Sequence, residues 1–258
     1  MIAHTRASLR YYAFETFAEL RHGVFTRLGG MSQAHLHSLN LGGNVGDEEG
    51  AVAENYRRLF ASLDLQVERA CSVWQVHSKD CIVVDQPAEG RPWIARADGM
   101  VTAHPNTPLV MRFADCTPLF FYDPIQRVIG IAHAGWRGTV QGIGGQMIRL
   151  MVETYGCVPH QIRVAIGPSI GPDHYQVGDE VVEAVRAHFG TLEGLVSYDA
   201  WDYSAYLNLW AANELDLRRS GVNHVEVAGI CTACHTDEFY SHRAEQGKTG
   251  RFAGVISL

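Results

Sequence analysis

Two side chains able to do chemistry stand at either end of one apolar stretch. Cys116 closes A-D-C, directly before T-P-L-F-F-Y-D, and His133 closes V-I-G-I-A-H. The intervening D-P-I-Q suits a type I turn, in which aspartate caps and proline presets φ. A turn on Asp123–Gln126 makes the numbers of paired residues sum to 249 and sets Cys116 opposite His133. Directly opposed residues of an antiparallel pair have Cβ atoms about 4.5–5.5 Å apart. At that range a thiol and an imidazole share a metal ion or form a thiolate–imidazolium pair that attacks a carbonyl carbon. His77, in W-Q-V-H-S-K-D, ends a strand-like run and is a third candidate. His77, Cys116 and His133 together make a His₂Cys set, three protein ligands with a fourth position open, as in catalytic zinc. Thiolate and imidazole suit copper as well as zinc, so ligand type leaves the metal open, and the residues alone leave ligand and nucleophile open for Cys116.

Further candidates surround this core. Arg27 and Asn40 lie in the long glycine-rich stretch V-F-T-R-L-G-G-M-S…S-L-N-L-G-G-N-V-G-D, where they could bind anionic or hydroxyl-bearing groups. Arg137 follows His133 in H-A-G-W-R-G and opens a helix, where free amide groups favour an anion. Arg243, Lys248 and Arg251 fall in S-H-R-A-E-Q-G-K-T-G-R and offer phosphate contacts. Cys231 and Cys234 form C-T-A-C, a redox pair or half of a zinc site, with no second cysteine pair of that spacing to complete it. His224 and Glu226 upstream imitate the H-x-E…P-C-x-x-C of zinc nucleobase deaminases. The imitation fails, because only four residues separate Glu226 from Cys231 and Ile230 stands where proline belongs.

These residues need elements to position them. Helices are expected after Asp47, over the face Val52, Tyr56, Leu59, Phe60 and Leu63; after Gly138, over Val140, Ile143, Met147 and Met151; near Asp179–Phe189, ending at Gly190; and near Ser204–Arg219, ending at Gly221. Strand-like runs are C-S-V-W-Q-V, C-I-V-V-D, P-L-V-M-R-F, L-F-F-Y-D, V-I-G-I-A, I-R-V-A-I, H-V-E-V-A-G-I and F-A-G-V-I-S-L. Short turns join several of them, so the expected fold is α+β with a largely antiparallel or mixed sheet. Glycine punctuation without a linker or repeat favours one domain over residues 1–258.

Composition bounds the function. The chain has 258 residues, 47% of them hydrophobic, and a net charge of −7 without a basic run, which argues against a general nucleic-acid partner and for a small-molecule substrate. The N-terminus lacks an apolar signal core and no run reaches membrane-span length, so the six cysteines are read as reduced in a cytoplasmic protein.

From about Gly23 onward the motifs A-D-C-T-P, H-A-G-W-R-G-T, W-Q-V-H, A-D-G-M-V-T, I-G-P-S-I-G and C-T…F-Y-S-H-R…T-G-R-F stand in an order that resembles the bacterial laccase-domain family, once called multicopper polyphenol oxidoreductases. The resemblance implies a layered α/β sandwich similar to cysteine-hydrolase-like toxins, and zinc held by His77, Cys116 and His133. It implies a purine nucleoside phosphorylase with adenosine deaminase activity, acting on nucleoside and phosphate; for that chemistry Arg27, Asn40, Arg137 and Arg243 are the candidate substrate and phosphate contacts. A peptidoglycan-editing role has also been linked to the family, which pairs with a second expectation, a cysteine amidohydrolase on cell-wall precursor peptides. Copper-dependent phenol oxidation is a third; a multicopper enzyme needs more linked ligands than this trio. Many members carry two arginines where this chain has Arg243-Ala244.

Overall fold

The computed structural model describes residues 1–91 and 93–258. In chain order its strands are β1 (Ile2–Arg6), β2 (Leu9–Ala13), β3 (Arg21–Phe25), β4 (Cys81–Val83), β5 (Gly99–Thr102), β6 (Leu109–Phe113), β7 (Thr117–Asp123), β8 (Val128–Ala134), β9 (Arg163–Ile166), β10 (Gln176–Val177), β11 (Val196–Tyr198), β12 (Ala205–Leu207), β13 (His224–Val227) and β14 (Phe252–Ser257). The helices are α1 (Glu49–Ser62), α2 (Trp136–Thr139), α3 (Ile143–Tyr155), α4 (Asp179–Phe189) and α5 (Leu209–Arg219).

Two sheets pack face to face. One is antiparallel, in the order β1-β2-β3-β14-β6. The other is mixed, in the order β13-β9-β7-β8-β5-β4, with parallel pairing only at its two margins. A small sheet, β10-β12-β11, lies beside them. Strand alternation builds the layers. From β7, Phe120 and Tyr122 join Met111, Phe113 and Phe252 of the facing sheet in one core, while Leu119 and Phe121 turn to Ile143, Met147 and Met151 of α3. From the other sheet, Val110, Ala253 and Val255 face Leu59 and Phe60 of α1. The stack is therefore helix, sheet, sheet, helix. Both central strands β7 and β8 are buried along their whole length, which is why they read as unbroken apolar runs. Each of these buried large side chains contributes about 1.5–3 kcal/mol. α3 lies so close that a Cβ at Gly130 would meet Met147 Cε at 2.7 Å.

Several expectations need correction. β7 pairs with β8 as Pro118↔His133 and Asp123↔Val128, so paired numbers sum to 251 rather than 249. The turn is wider by two residues because the Asp123 carboxylate accepts from the amides of both Ile125 and Gln126, and Arg127 takes a positive φ of 53°. Glu48, not Asp47, precedes α1; the Asp47 carboxylate is occupied by Ser32 Oγ and Asn40 Nδ2. The helix expected after Gly138 begins earlier, at Trp136, and is two helices, α2 and α3, separated by Gly142 in the left-handed region (φ 73°). α4 runs over the expected residues. α5 starts at Leu209, where Asn208 caps it by accepting from the Ala211 amide, and residues 205–207 form β12 instead. C-S-V-W-Q-V makes isolated bridges at Cys71 and Trp74 only, because the Gln75 side chain, not its backbone, pairs with the Arg112 amide and carbonyl. Strands β1–β3, β5 and β10–β12 went unread in the sequence. Among the described residues no helix is long and apolar enough to cross a membrane.

Candidate active site

The site lies at the end of the β7–β8 hairpin away from its turn. Cys116 directly precedes β7, and His133 is the penultimate residue of β8. The register puts them diagonally across the ladder. Side chains repeat every two residues, so a slip of two keeps both on one face, where a slip of one would have separated them. His77 arrives from the segment between Trp74 and β4. One nitrogen of each histidine and the Cys116 sulfur all lie within 4.8 Å of one another. The two imidazole centroids are 4.9 Å apart at 78°.

Asp98, just before β5, organises this trio. It is fully buried. Its Oδ1 lies 2.9 Å from His133 Nδ1; a carboxylate only accepts, so Nδ1 carries the proton and Nε2 is left for a ligand role. Its Oδ2 accepts from the amides of Val76 (3.1 Å) and Ser78 (2.7 Å) and from Ser78 Oγ (3.0 Å). Those amides flank His77, which sits at φ +61°, a conformation uncommon for a residue with a side chain. One carboxylate thus orients both histidines. Gly135 completes the approach: a Cβ there would stand 2.9 Å from Cys116 Sγ and 3.4 Å from His77 Cδ2.

Electrostatics favour a charged pair. Burial alone would raise the Cys116 thiol, but the imidazoles of His133 and His77 outweigh it and bring it down to about 6. Burial would likewise lower His133, and the Cys116 thiolate and Asp98 raise it to about 9. The same donors fit a metal: a thiolate sulfur and two imidazoles converge, and an outer carboxylate fixes one tautomer, as in many histidine–zinc sites.

The trio opens into a cavity of about 560 Å³. Arginines 112, 137, 243 and 251 line it, with Trp74, Trp93, Trp136 and Tyr175. Arg112 donates to the Val73 carbonyl, Arg243 to those of His174 and Gln176, and Arg251 to those of Thr249 and Gly250. Arg137 alone of the four has no hydrogen-bond acceptor among the described residues; its guanidinium lies 4.4 Å from the Trp136 ring centroid. Trp74 and Trp93 meet edge to face at 4.6 Å, both about two-fifths exposed.

Of the sequence candidates, the structure gathers His77, Cys116, His133, Arg137, Arg243 and Arg251 around this cavity and leaves Arg27, Asn40 and Lys248 outside its lining. Arg27 is engaged elsewhere, donating to the carbonyls of His35, His37 and Thr236 and to Glu245 (2.9 Å), with its guanidinium over Tyr240. Asn40 Oδ1 accepts from the amides of Gly42 and Arg251, so it positions a wall rather than forming it. Sequence reasoning missed Asp98, Trp74, Trp93, Arg112 and Tyr175. For Asp98 the one available signal was its place in A-D-G-M-V-T, at the mouth of a strand beside the hairpin.

The sequence profile described as multi-copper polyphenol oxidoreductase laccase matches residues 21–258. The chain belongs to this laccase-like family. A member named purine nucleoside phosphorylase YlmD, from Bacillus subtilis (strain 168), is 36% identical over 244 residues, covering 92% of this chain and 87% of its own. Among solved structures of the family, YlmD from Geobacillus stearothermophilus superimposes with a TM-score of 0.92 at 35% identity, over 98% of this chain and 97% of its own. The hypothetical protein YfiH from Bacillus licheniformis gives a TM-score of 0.92 at 32% identity, over 99% and 98%. The laccase-like fold is thus the layered α+β arrangement described above.

Proposed function

We propose that this laccase-family chain is a zinc-dependent purine nucleoside phosphorylase that also deaminates adenosine. The observation that carries the reading is that the His77–Cys116–His133 trio lines the same cavity as four arginines and several aromatic rings. In a chain of net charge −7, four arginines around one cavity focus a positive potential that suits phosphate. Arg137, which has no hydrogen-bond acceptor among the described residues, supplies a bidentate fork for it. Trp74 and Trp93, partly exposed in the lining, offer apolar faces for a purine. Phosphorolysis breaks the glycosidic C–N bond and forms a C1′–O bond to phosphate, so its demand is to hold an anion against the sugar with the base clamped, and this lining meets that demand.

His77, Cys116 and His133 would hold zinc, whose Lewis acidity at the open position supplies the activation of water that deamination requires. Asp98 keeps the proton on His133 Nδ1, which leaves Nε2 to hold the ion. The names borne by the relatives agree with phosphorolysis.

The test is product analysis. Purified protein is incubated with adenosine in phosphate, and adenine, ribose 1-phosphate and inosine are separated by chromatography. Products from wild type and none from Cys116→Ala support the reading; full turnover by Cys116→Ala refutes it.

One observation favours a second reading. A Cys116 thiol brought down to about 6 beside a histidine is also the state of a cysteine hydrolase. That enzyme would keep its activity on a cell-wall precursor peptide after chelation and lose it on alkylation of Cys116. Copper oxidation is the weakest reading: the described residues hold two separate three-ligand groups, not a linked multicopper cluster.

A further inference from the structure

C-T-A-C, unexplained by the cavity chemistry, has a partner that the sequence did not point to. Cys231 and Cys234 lie on a single turn closed by the His235 amide donating to the Cys231 carbonyl, which sets both sulfurs on one side. Facing them is His174, from the segment after β9. Its Nδ1 is 3.7 Å from Cys231 Sγ and 3.6 Å from Cys234 Sγ, and the three atoms lie within 4.8 Å of one another. Zinc bonds of ~2.3 Å to sulfur and ~2.0 Å to nitrogen, at the tetrahedral angle, place S and N about 3.6 Å apart. Both S···N separations match that value, and both involve the same ring nitrogen.

A second observation points the same way. The Gly171 amide donates to Cys231 Sγ at 3.1 Å, which fixes the position of this sulfur beside the His174 ring. Cys231 is 9% exposed, while His174 and Cys234 are exposed and accessible to an incoming ion. The two segments are already held side by side, with the Ser169 amide donating to the Ile230 carbonyl and the Thr232 amide to that of Ser169.

We propose that His174, Cys231 and Cys234 form a second zinc site, separate from the His77–Cys116–His133 trio, whose ion braces the wall of the cavity. The connection to the wall is direct. The carbonyls of His174 and Gln176 accept from the Arg243 guanidinium, and Tyr175 between them lines the cavity. On the other side Thr232 Oγ1 donates to Asp115 Oδ1 at 2.7 Å, Asp115 Oδ2 accepts from the Arg243 amide at 2.7 Å, and Asp115 adjoins Cys116. An ion joining His174 to the 231–234 turn closes this loop of contacts. The three residues are positioning residues; none lines the cavity.

The experiment counts metal and does not depend on the catalytic reading. Wild type, Cys116→Ala, Cys234→Ala and His174→Ala are loaded with zinc, freed of excess and assayed for zinc per chain by mass spectrometry. Cobalt substitution then reads thiolate-to-cobalt charge transfer and tetrahedral d–d bands. Cys234 and His174 are exposed, and circular dichroism checks that these variants fold. Two zinc ions per wild-type chain are expected, one lost in Cys234→Ala and in His174→Ala, the other lost independently in Cys116→Ala. In Cys116→Ala the residual cobalt spectrum keeps its charge-transfer band, now from Cys231 and Cys234. Loss of zinc in the Cys234 and His174 variants but not in Cys116→Ala would uphold this site and sink the zinc part of the proposed function. A zinc count unchanged by Cys234→Ala and His174→Ala overturns the second site, as does recovery of the freshly purified protein with Cys231 and Cys234 joined as a disulfide.

Discussion

Asp98 and His133 are bonded twice: the His133 ring donates from Nδ1 to Asp98 Oδ1 at 2.9 Å, and the His133 amide donates to the Asp98 carbonyl at 2.8 Å. The side-chain bond sets the tautomer, and the backbone bond sets where the strand presents it. Asp98→Asn keeps the shape but removes the charge and exchanges one accepting oxygen for a donor. Zinc affinity at the trio should fall 10–100-fold, as for other outer carboxylates on ligating histidines. Competition with a chromophoric chelator measures this, with Cys234→Ala as the background so that one site is read.

Metal-free protein should show an unusually acidic Cys116. With the thiol brought down to about 6, roughly nine-tenths is thiolate at pH 7, against about one-hundredth for an ordinary thiol near 9. Carboxamidomethylation of Cys116, followed by peptide mass spectrometry, should rise with pH through about 6 and level off above it. In His133→Ala the inflection should move upward, because burial then raises the thiol with less opposing charge. An inflection near 9 in wild type would show that the imidazoles do not sustain the thiolate.

Arg137 and Arg27 should separate binding from stability. Arg137→Ala should raise KM for phosphate by tenfold or more, about 1.4 kcal/mol or above, and leave the melting temperature nearly unchanged. Arg27→Ala breaks a largely buried pair with Glu245 and three carbonyl contacts, and should cost roughly 3 kcal/mol in denaturant unfolding with little change in KM. Equal effects of the two substitutions on KM would return Arg27 to the list of substrate contacts.

Trp93→Ala should weaken nucleoside and spare phosphate. Base–aromatic stacking is worth about 1–3 kcal/mol, so KM for adenosine should rise at least severalfold while KM for phosphate holds. A matched rise in both would mean that the Trp74–Trp93 pair shapes the cavity instead of holding the base.

The pairing of Cys116 with His133 was legible because both belong to one hairpin and because the face a strand residue presents depends only on parity. The turn width was misjudged by two residues and the two side chains still shared a face. α4 was legible for a similar local reason: its acidic first turn, its apolar spacing and Gly190 all lie within the segment itself. α5 was misjudged because residues 205–207 find a strand partner on either side, in β10 and β11, and a partner distant in sequence overrides local helical spacing.

The amino-acid sequence by itself determined the hairpin, the parity that joins Cys116 to His133, the family motifs and the net acidic charge of the chain, because each is written within a short stretch or in composition. Only the tertiary structure decided which arginine is free and what holds His77. Arg27 and Arg137 look alike in sequence, but carbonyls from residues 35, 37 and 236 consume one, and among the described residues none reaches the other. His77 joins the site because a carboxylate 21 residues later accepts from the amides on both sides of it. His174 meets Cys231 and Cys234 across a longer separation, 57 and 60 residues. Hydrogen bonds and metal ligands act over a few ångströms of space, and the fold alone sets which distant residues come that close.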